Sequence, residues 1–208
     1  MGVTPQQFEQ MQQRLAGASR SGARRKPGSV FEPSVLPSSI SRHEIVLGID
    51  PSLRGTGYGI IRMAKPFPQT LVHGTIVCPA GWDRSRCLMM ISLSLRDLLR
   101  QHKPTVCAIE GLFFAQNLQT AIIMGEARGA ALAAVAEAGL EIYEMAPRKV
   151  KQAIVGYGAA QKLAVAKMVQ RILNLAELPD ADAADALALA LAHVQTNGKF
   201  GLSSPKRI

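Results

Sequence analysis

Four acidic residues stand where apolar segments would bury them. Asp50 and Glu110 each close an apolar run of strand character, and Asp182 and Asp185 stand near the start of an almost wholly apolar helix. A buried carboxylate is costly unless it is protonated, paired or bound to a metal. Carboxylate oxygens without a cluster of His or Cys favour magnesium or manganese over zinc or copper. We therefore predict a divalent cation site suited to two-metal hydrolysis of phosphodiester bonds.

Each acid also has an ordinary structural explanation. Asp50 could form a turn before Pro51, and Glu110 could simply mark the end of a strand. Asp182 could be the N-cap of its helix, with Asp185 in the first turn. Their three-residue spacing places two like charges on one helix face, which costs roughly 0.2–0.5 kcal/mol. One metal site explains all four positions more economically than four separate coincidences.

The apolar periodicity predicts the elements that would bring these acids together. Three strands of an antiparallel meander are expected at 45–50, 55–61 and 71–77, then a helix over 87–101 and a strand at 105–110. A helix over 118–138, a fifth strand at 140–145 and a helical remainder from Pro147 follow. The order predicts an α/β fold with five strands in a mixed sheet flanked by helices. Right-handed crossovers make the first and fourth strands parallel neighbours, so Asp50 and Glu110 should emerge at one edge.

Composition indicates a polyanionic partner and three regions. The 208 residues carry a formal charge of +9, and Lys and Arg gain affinity for nucleic acid by releasing counterions from phosphates. Residues 1–43 are a basic arm whose composition predicts no fixed structure, 44–196 a folded domain that holds the four acids, and 197–208 a polar basic tail. The chain should therefore hold one catalytic unit with two extensions.

Cysteine usage and hydropathy indicate a cytoplasmic protein. Cys78, Cys87 and Cys107 show neither CxxC spacing nor an even count, which argues against a zinc knuckle and a secreted disulfide framework. The longest apolar stretch, 121–135, contains Glu126 and Arg128 and so is not expected to span a membrane. No apolar signal-peptide core is expected near the N-terminus.

Three motifs in this order resemble those of the RuvC family of Holliday-junction resolvases. They are Gly48-Ile-Asp-Pro-Ser52, Ala108-Ile-Glu-x-x-Phe-x-x-x-Asn117 and Asp182-Ala-Ala-Asp-Ala-Leu-Ala188. The likeness covers about residues 45 to 196 and includes Val150-Lys-Gln152 and Val155-Gly-x-Gly158. Two features depart from the family pattern: the arm before residue 44 is additional, and Gly111 replaces a polar residue.

The resemblance implies a fold, a reaction and a metal site. The fold would be RNase H-like, with the five strands arranged as a three-stranded antiparallel meander plus two parallel strands. The activity would be the cutting of Holliday junctions by paired symmetric nicks in DNA recombination and repair. The ligands of two Mg²⁺ ions, for which Mn²⁺ can substitute, would be Asp50, Glu110, Asp182 and Asp185.

Several basic and aromatic residues become candidates for DNA contact through the same resemblance. Lys151 and Lys162 match positions that the family uses near the cleaved strand, and we expect Lys162 to act in catalysis. The alternative is that both are solvated helix lysines. Arg148 and Lys149 are candidates for sequence-independent phosphate contacts. Phe113 is a candidate for stacking on an unpaired base, with packing in the core as its alternative.

The family likeness also implies partners. We expect a homodimer in which part of the helix over 118–138, with its Gly125-x-x-x-Gly129 spacing, packs across a two-fold axis. Asn117 is expected to be the N-cap of that helix. The likeness further implies cooperation with the RuvA–RuvB branch-migration complex.

Two other functions are compatible with these residues. An RNase H-like nuclease acting on RNA or on an RNA–DNA hybrid would use the same carboxylate chemistry. A nuclease-inactive junction-binding protein would also account for the basic charge. Retention of all four acids favours the junction nuclease over the inactive protein.

Overall fold

The computed structural model describes residues 43–111, 117–197 and 206–208. The predicted arm up to residue 42, most of the tail and the candidate residue Phe113 lie outside the described residues. Within the described ranges, no helix is long and apolar enough to cross a membrane.

A mixed sheet forms the centre of the fold. Its strands are β1 (Ile45–Asp50), β2 (Gly55–Arg62), β3 (Gln69–Val77), β4 (Val106–Glu110), β5 (Glu141–Met145) and β6 (Lys206–Arg207). They lie in the order β3-β2-β1-β4-β5-β6. The first three strands form the expected antiparallel meander, and β1 pairs with β4, and β4 with β5, in parallel. The predicted adjacency of the first and fourth strands is confirmed.

The sixth strand departs from the predicted count of five. β6 pairs antiparallel with β5, and Arg207 forms an ion pair with Glu141 at 2.8 Å. Two consecutive basic residues carry neither an apolar alternation nor a β-branched side chain, so the sequence gives no strand signal there. Charged residues are nevertheless suited to the edge of a sheet, which is where β6 lies.

Five helices flank the sheet in the described ranges. They are α1 (Arg84–His102), α2 (Leu118–Glu137), α3 (Pro147–Val155), α4 (Lys162–Leu173) and α5 (Ala181–Asn197). Asn117 caps α2, because its side chain accepts a hydrogen bond from the backbone N–H of Thr120 at 2.8 Å. The predicted N-cap is confirmed.

Alternate residues of the central strands face two separate cores. Leu47 and Cys107 pack in the core that contains α1 and α2. Val46 and Val106 pack in the core that contains α3, α4 and α5. All four side chains are fully buried. Burial on both faces explains why β1 and β4 are unbroken apolar runs, with polar chemistry confined to their ends.

Helix α5 lies directly on β1 and β2. Residues 186–192 are buried, as the absence of a polar face predicts. A β-carbon at Gly48 would collide with the backbone of Ala186, and one at Gly57 would collide with the carbonyl oxygen of Asp182. Glycine therefore permits the close approach that brings the start of α5 beside the carboxyl end of β1.

Candidate metal centre

The carboxyl groups of Asp50 and Glu110 meet at one edge of the sheet. β1 and β4 run in parallel with Ile49 opposite Ile109, and each acid is the next residue of its strand. A hydrogen bond joins the two side chains. The predicted meeting of these strand ends is therefore observed.

The surroundings of Asp50 disfavour its ionised form. Burial is the largest cause, and the hydrogen bond and charge of Glu110 and the charge of Asp185 act in the same direction. Lys162 opposes them, and the net effect raises the pKa of Asp50 from 3.8 to about 8. A buried carboxyl group that keeps its proton beside two other acids marks a site where further negative charge is unfavourable. A divalent cation would offset that charge.

Lys162, the first residue of α4, lies at the rim of these acids. Its Nζ atom is 2.8 Å from Oδ2 of Asp185. The hydrogen bond to Asp185 is the main cause that raises the pKa of Lys162; desolvation opposes it, and the charges of Asp185, Asp50 and Glu110 add to the rise. The side chain of Lys162 is 69% exposed and that of Asp185 is 25% exposed, so the ammonium stands on the open side of the cluster.

Asp182 lies against the start of β2. Helix α5 begins at Ala181, so Asp182 stands inside the first turn and the alternative that it is the N-cap is wrong. Its Oδ2 atom is 2.7 Å from the position that a β-carbon would take at Gly55. The half-buried carboxylate of Asp182 therefore occupies space that any larger residue at position 55 would need.

The acids fit a divalent cation in charge and in donor chemistry, although their side chains do not form a closed coordination shell. Across 43–111, 117–197 and 206–208, no three His, Cys, Asp or Glu side chains are arranged as a ready metal-binding group. Glu110 and Asp185 are both close enough to shift the protonation of Asp50. All these donors are oxygens, as magnesium and manganese prefer. Glu110 and Asp185 thus lie within electrostatic reach of Asp50, and the fourth predicted ligand, Asp182, lies against Gly55.

The predicted phosphate-binding residues lie on α3, which follows β5 and therefore begins at the same edge of the sheet. Arg148 and Lys149 are exposed, and Lys151 is half-buried. The side chain of Arg148 packs so closely on Gly158 that a β-carbon there would overlap it. The first turn of α3 accordingly presents positive charge at this edge of the sheet.

Two residues at this edge were given no functional role by the sequence. Arg128 of α2 donates from Nε to the backbone carbonyl oxygen of Glu110 at 3.2 Å. It also forms an ion pair with Glu144 of β5. An arginine in a helix of mostly small residues is a visible signal, but its two partners are distant in sequence and cannot be inferred from spacing.

Comparison with known proteins finds relatives over most of the described region. Residues 46–193 match the family model described as Crossover junction endodeoxyribonuclease RuvC. A protein of that description from Caldanaerobacter subterraneus is 41% identical over 153 residues, which cover 73% of this chain and 93% of that protein. Another from Syntrophomonas wolfei is 45% identical over 152 residues, which cover 73% of this chain and 88% of that protein.

Solved structures are similar over the same region. The structure of T. thermophilus RuvC in complex with Holliday junction substrate gives a TM-score of 0.73 at 32% identity, covering 80% of this chain and all of that one. The structure of the yeast mitochondrial Holliday junction resolvase Ydc2 gives a TM-score of 0.53 at 13% identity, covering 76% of this chain and 82% of that one. At this identity the likeness concerns the fold alone. The predicted RNase H-like architecture is confirmed.

Proposed function

Because the chain belongs to the RuvC family of crossover junction endodeoxyribonucleases, we propose that it resolves Holliday junctions at the acidic edge of its sheet. Such an activity serves DNA recombination and repair. Family membership supplies the substrate class. The observation that supports this location is the hydrogen bond between Asp50 and Glu110 beside the charge of Asp185.

The metal ligands in this proposal are Asp50, Glu110, Asp182 and Asp185, and the cofactor is a pair of magnesium ions for which manganese can substitute. Four carboxylates balance the charge of two divalent ions. When bound, such ions supply positive charge to the phosphate oxygens and lower the pKa of the attacking water. The raised pKa of Asp50, about 8, supports the assignment because a cation would replace the proton that this crowded acid retains.

Lys162 is proposed to act beside the reacting phosphate. Its ammonium is tied to Asp185 at 2.8 Å and is mostly exposed, so it can face DNA without leaving the acids. The neighbouring acids raise its pKa, which keeps it charged at neutral pH. A fixed positive charge at this position would stabilise the negative charge that develops on the phosphate during cleavage.

The DNA-binding surface is proposed to include Arg148, Lys149 and Lys151 together with Phe113. Exposure of Arg148 and Lys149 at the start of α3 supports phosphate contacts that do not depend on sequence. The formal charge of +9 supports the same role. Phe113 is proposed on the family motif alone, as the residue that stacks on an unpaired base at the junction centre.

The active form is proposed to be a homodimer that uses the outward face of α2. Leu118 is 77% exposed and Ile122 is 49% exposed. β-Carbons at Gly125 and Gly129 would meet nothing within 4 Å in the described part of the chain. This apolar face with small residues permits close approach of a second helix. A dimer would also carry two active sites related by a two-fold axis, which matches the symmetry of a four-way junction. Cooperation with the RuvA–RuvB complex is proposed from family membership.

A cleavage assay with matched substrates tests the function. A mobile four-way DNA junction, a linear duplex, an RNA strand and an RNA–DNA hybrid, all of the same sequence, are incubated with the protein and Mg²⁺. We expect cleavage of the junction, little cleavage of the duplex, and none after chelation of the metal. Faster cleavage of RNA or of the hybrid would favour the alternative nuclease, and tight junction binding without cleavage would indicate an inactive binding protein.

A further inference from the structure

One peptide group beside the metal centre is held from two sides. The carbonyl oxygen of Glu110 accepts a hydrogen bond from Nε of Arg128 at 3.2 Å. The N–H of the same peptide group belongs to Gly111 and donates to the carbonyl oxygen of Met145 at 3.0 Å. Helix α2 and strand β5 therefore fix the orientation of the backbone immediately after the Glu110 side chain.

The guanidinium of Arg128 is itself held in place. It forms an ion pair with Glu144, and the two side chains are 13% and 23% exposed. A guanidinium donates in fixed, coplanar directions, so Nε can donate to the carbonyl oxygen of Glu110 while Nη2 donates to the carboxylate of Glu144. A lysine ammonium lacks this fork and cannot reproduce both bonds with the same geometry.

Position 110 needs such a restraint because the sheet holds it on one side only. The register between β1 and β4 ends at Ile49 and Ile109, one residue before the acid. On the other side, Glu110 still pairs with Met145 of β5. The bond from Arg128 adds a contact from α2 at the point where pairing with β1 stops.

We propose that Arg128 is a positioning residue for the nuclease reaction, fixing the backbone of Glu110 so that its carboxylate stays beside Asp50. The inference rests on the proposed role of Glu110 as a metal ligand. Groups that orient a metal ligand commonly affect metal affinity or activity by about 10- to 100-fold when they are removed. Because Arg128 lies on α2, which is also the proposed dimer helix, its hydrogen bond to Glu110 links that helix to the acidic edge of the sheet.

Two variants separate positioning from general stability. Arg128→Lys keeps the positive charge but loses the fork. The double variant Arg128→Met with Glu144→Met removes both members of the ion pair, so that no unpaired charge remains buried and the fold is retained. Arg96→Gln is the matched control, because Arg96 also forms an ion pair, with Glu137 at 2.6 Å, but joins α1 to α2.

The first measurement is single-turnover cleavage of a four-way junction at saturating protein and Mg²⁺, with junction affinity measured separately in Ca²⁺. We expect both Arg128 variants to cleave about 10- to 100-fold more slowly with unchanged junction affinity, and Arg96→Gln to behave as wild type. Wild-type rates in folded samples of both variants would overturn the proposal. So would a loss confined to junction affinity.

The second measurement needs neither metal nor DNA. Hydrogen exchange of the Gly111 amide, followed by NMR, should be faster in both Arg128 variants than in the wild type or Arg96→Gln. Unchanged exchange would overturn the restraint even if cleavage fell. A fully active Glu110→Gln variant would instead refute the proposed ligand role, while the exchange data would still report whether Arg128 holds this peptide group.

Discussion

The first turn of α5 rests on Gly57, because a β-carbon at that position would overlap the backbone carbonyl oxygen of Asp182. In the register of β1 and β2, Gly57 is the direct partner of Asp50. The distance between two proposed ligands on different elements is therefore set by a residue that has no side chain and takes no part in the chemistry.

Replacement of Gly57 by alanine should damage both stability and catalysis. The added methyl group must push α5 away from the sheet, and overpacking of this kind costs about 1–3 kcal/mol. Denaturant unfolding should report that loss, and cleavage by the remaining folded protein should fall because Asp182 moves. Gly81→Ala is the control, since a β-carbon there would meet nothing within 4 Å. Wild-type stability of Gly57→Ala would contradict the close approach of helix and strand.

Conversion of Asp50 or Asp185 to asparagine should separate cutting from binding. Each change removes a proposed ligand charge and leaves the basic residues of α3 in place, so cleavage should fall by at least about 100-fold while junction affinity is kept. Cleavage gels and electrophoretic mobility shifts measure the two properties. Asp97→Asn, a change on the exposed face of α1, should alter neither. Near-normal nicking by Asp50→Asn would refute the metal centre.

The burial of Asp50 beside other acids predicts a pH dependence of stability without metal. The pKa of Asp50 is raised from 3.8 to about 8 in the folded protein, so the folded state binds more protons than the unfolded state between these values. The stabilising contribution of the protonated group is thus complete below pH 3.8 and is lost as the pH rises to about 8. Asp50→Asn cannot titrate. The free energy of unfolding of Asp50→Asn minus that of the wild type should therefore increase between pH 3.8 and about 8, as measured by urea unfolding with EDTA. A difference that does not change with pH would argue against the shifted pKa.

Charge removal on α3 should change the salt dependence of DNA binding. If Arg148 and Lys149 each neutralise one phosphate, Arg148→Gln and Lys149→Gln should each reduce the slope of log affinity against log salt by about 1. The measurement uses an inactive Asp50→Asn background, so that the junction stays intact. Arg100→Gln, on α1 and paired with Asp97, serves as control. If the slope of log affinity against log salt is unchanged in both α3 variants, the DNA phosphates contact a different surface of the protein.

A bulky charge on the outward face of α2 should prevent dimer formation. A β-carbon at position 129 would meet nothing within 4 Å in the described part of the chain, so each Gly129→Glu subunit should fold normally. Sedimentation at assay concentration should show two subunits for the wild type and one for the variant. Strand-specific gels should show symmetric nicks for the wild type and poorly paired nicks for the variant. A fully active monomer would refute the dimer but leave the nuclease assignment intact.

The sequence predicted those parts of the fold that arise from local pattern. Apolar runs that end at Asp50 and Glu110 indicated both the strands and the shared edge, because strands buried on two faces have few other places for an acid. The partners of Arg128 were not predictable, since its bond to Glu110 joins residues 18 positions apart. The placement of Asp182 against Gly55 likewise depends on how α5 crosses the sheet. β6 was missed because two basic residues have no strand signal of their own.

The short strand β6 also bears on self-association. Its pairing of Arg207 with Tyr143 and of Lys206 with Glu144 occupies backbone groups of β5 that would otherwise be open to another chain. The new outer edge of the sheet is a strand of only two basic residues, and a short charged strand is a poor template for pairing with another chain. Lys206 and Arg207 therefore disfavour edge-to-edge aggregation of the sheet by covering β5.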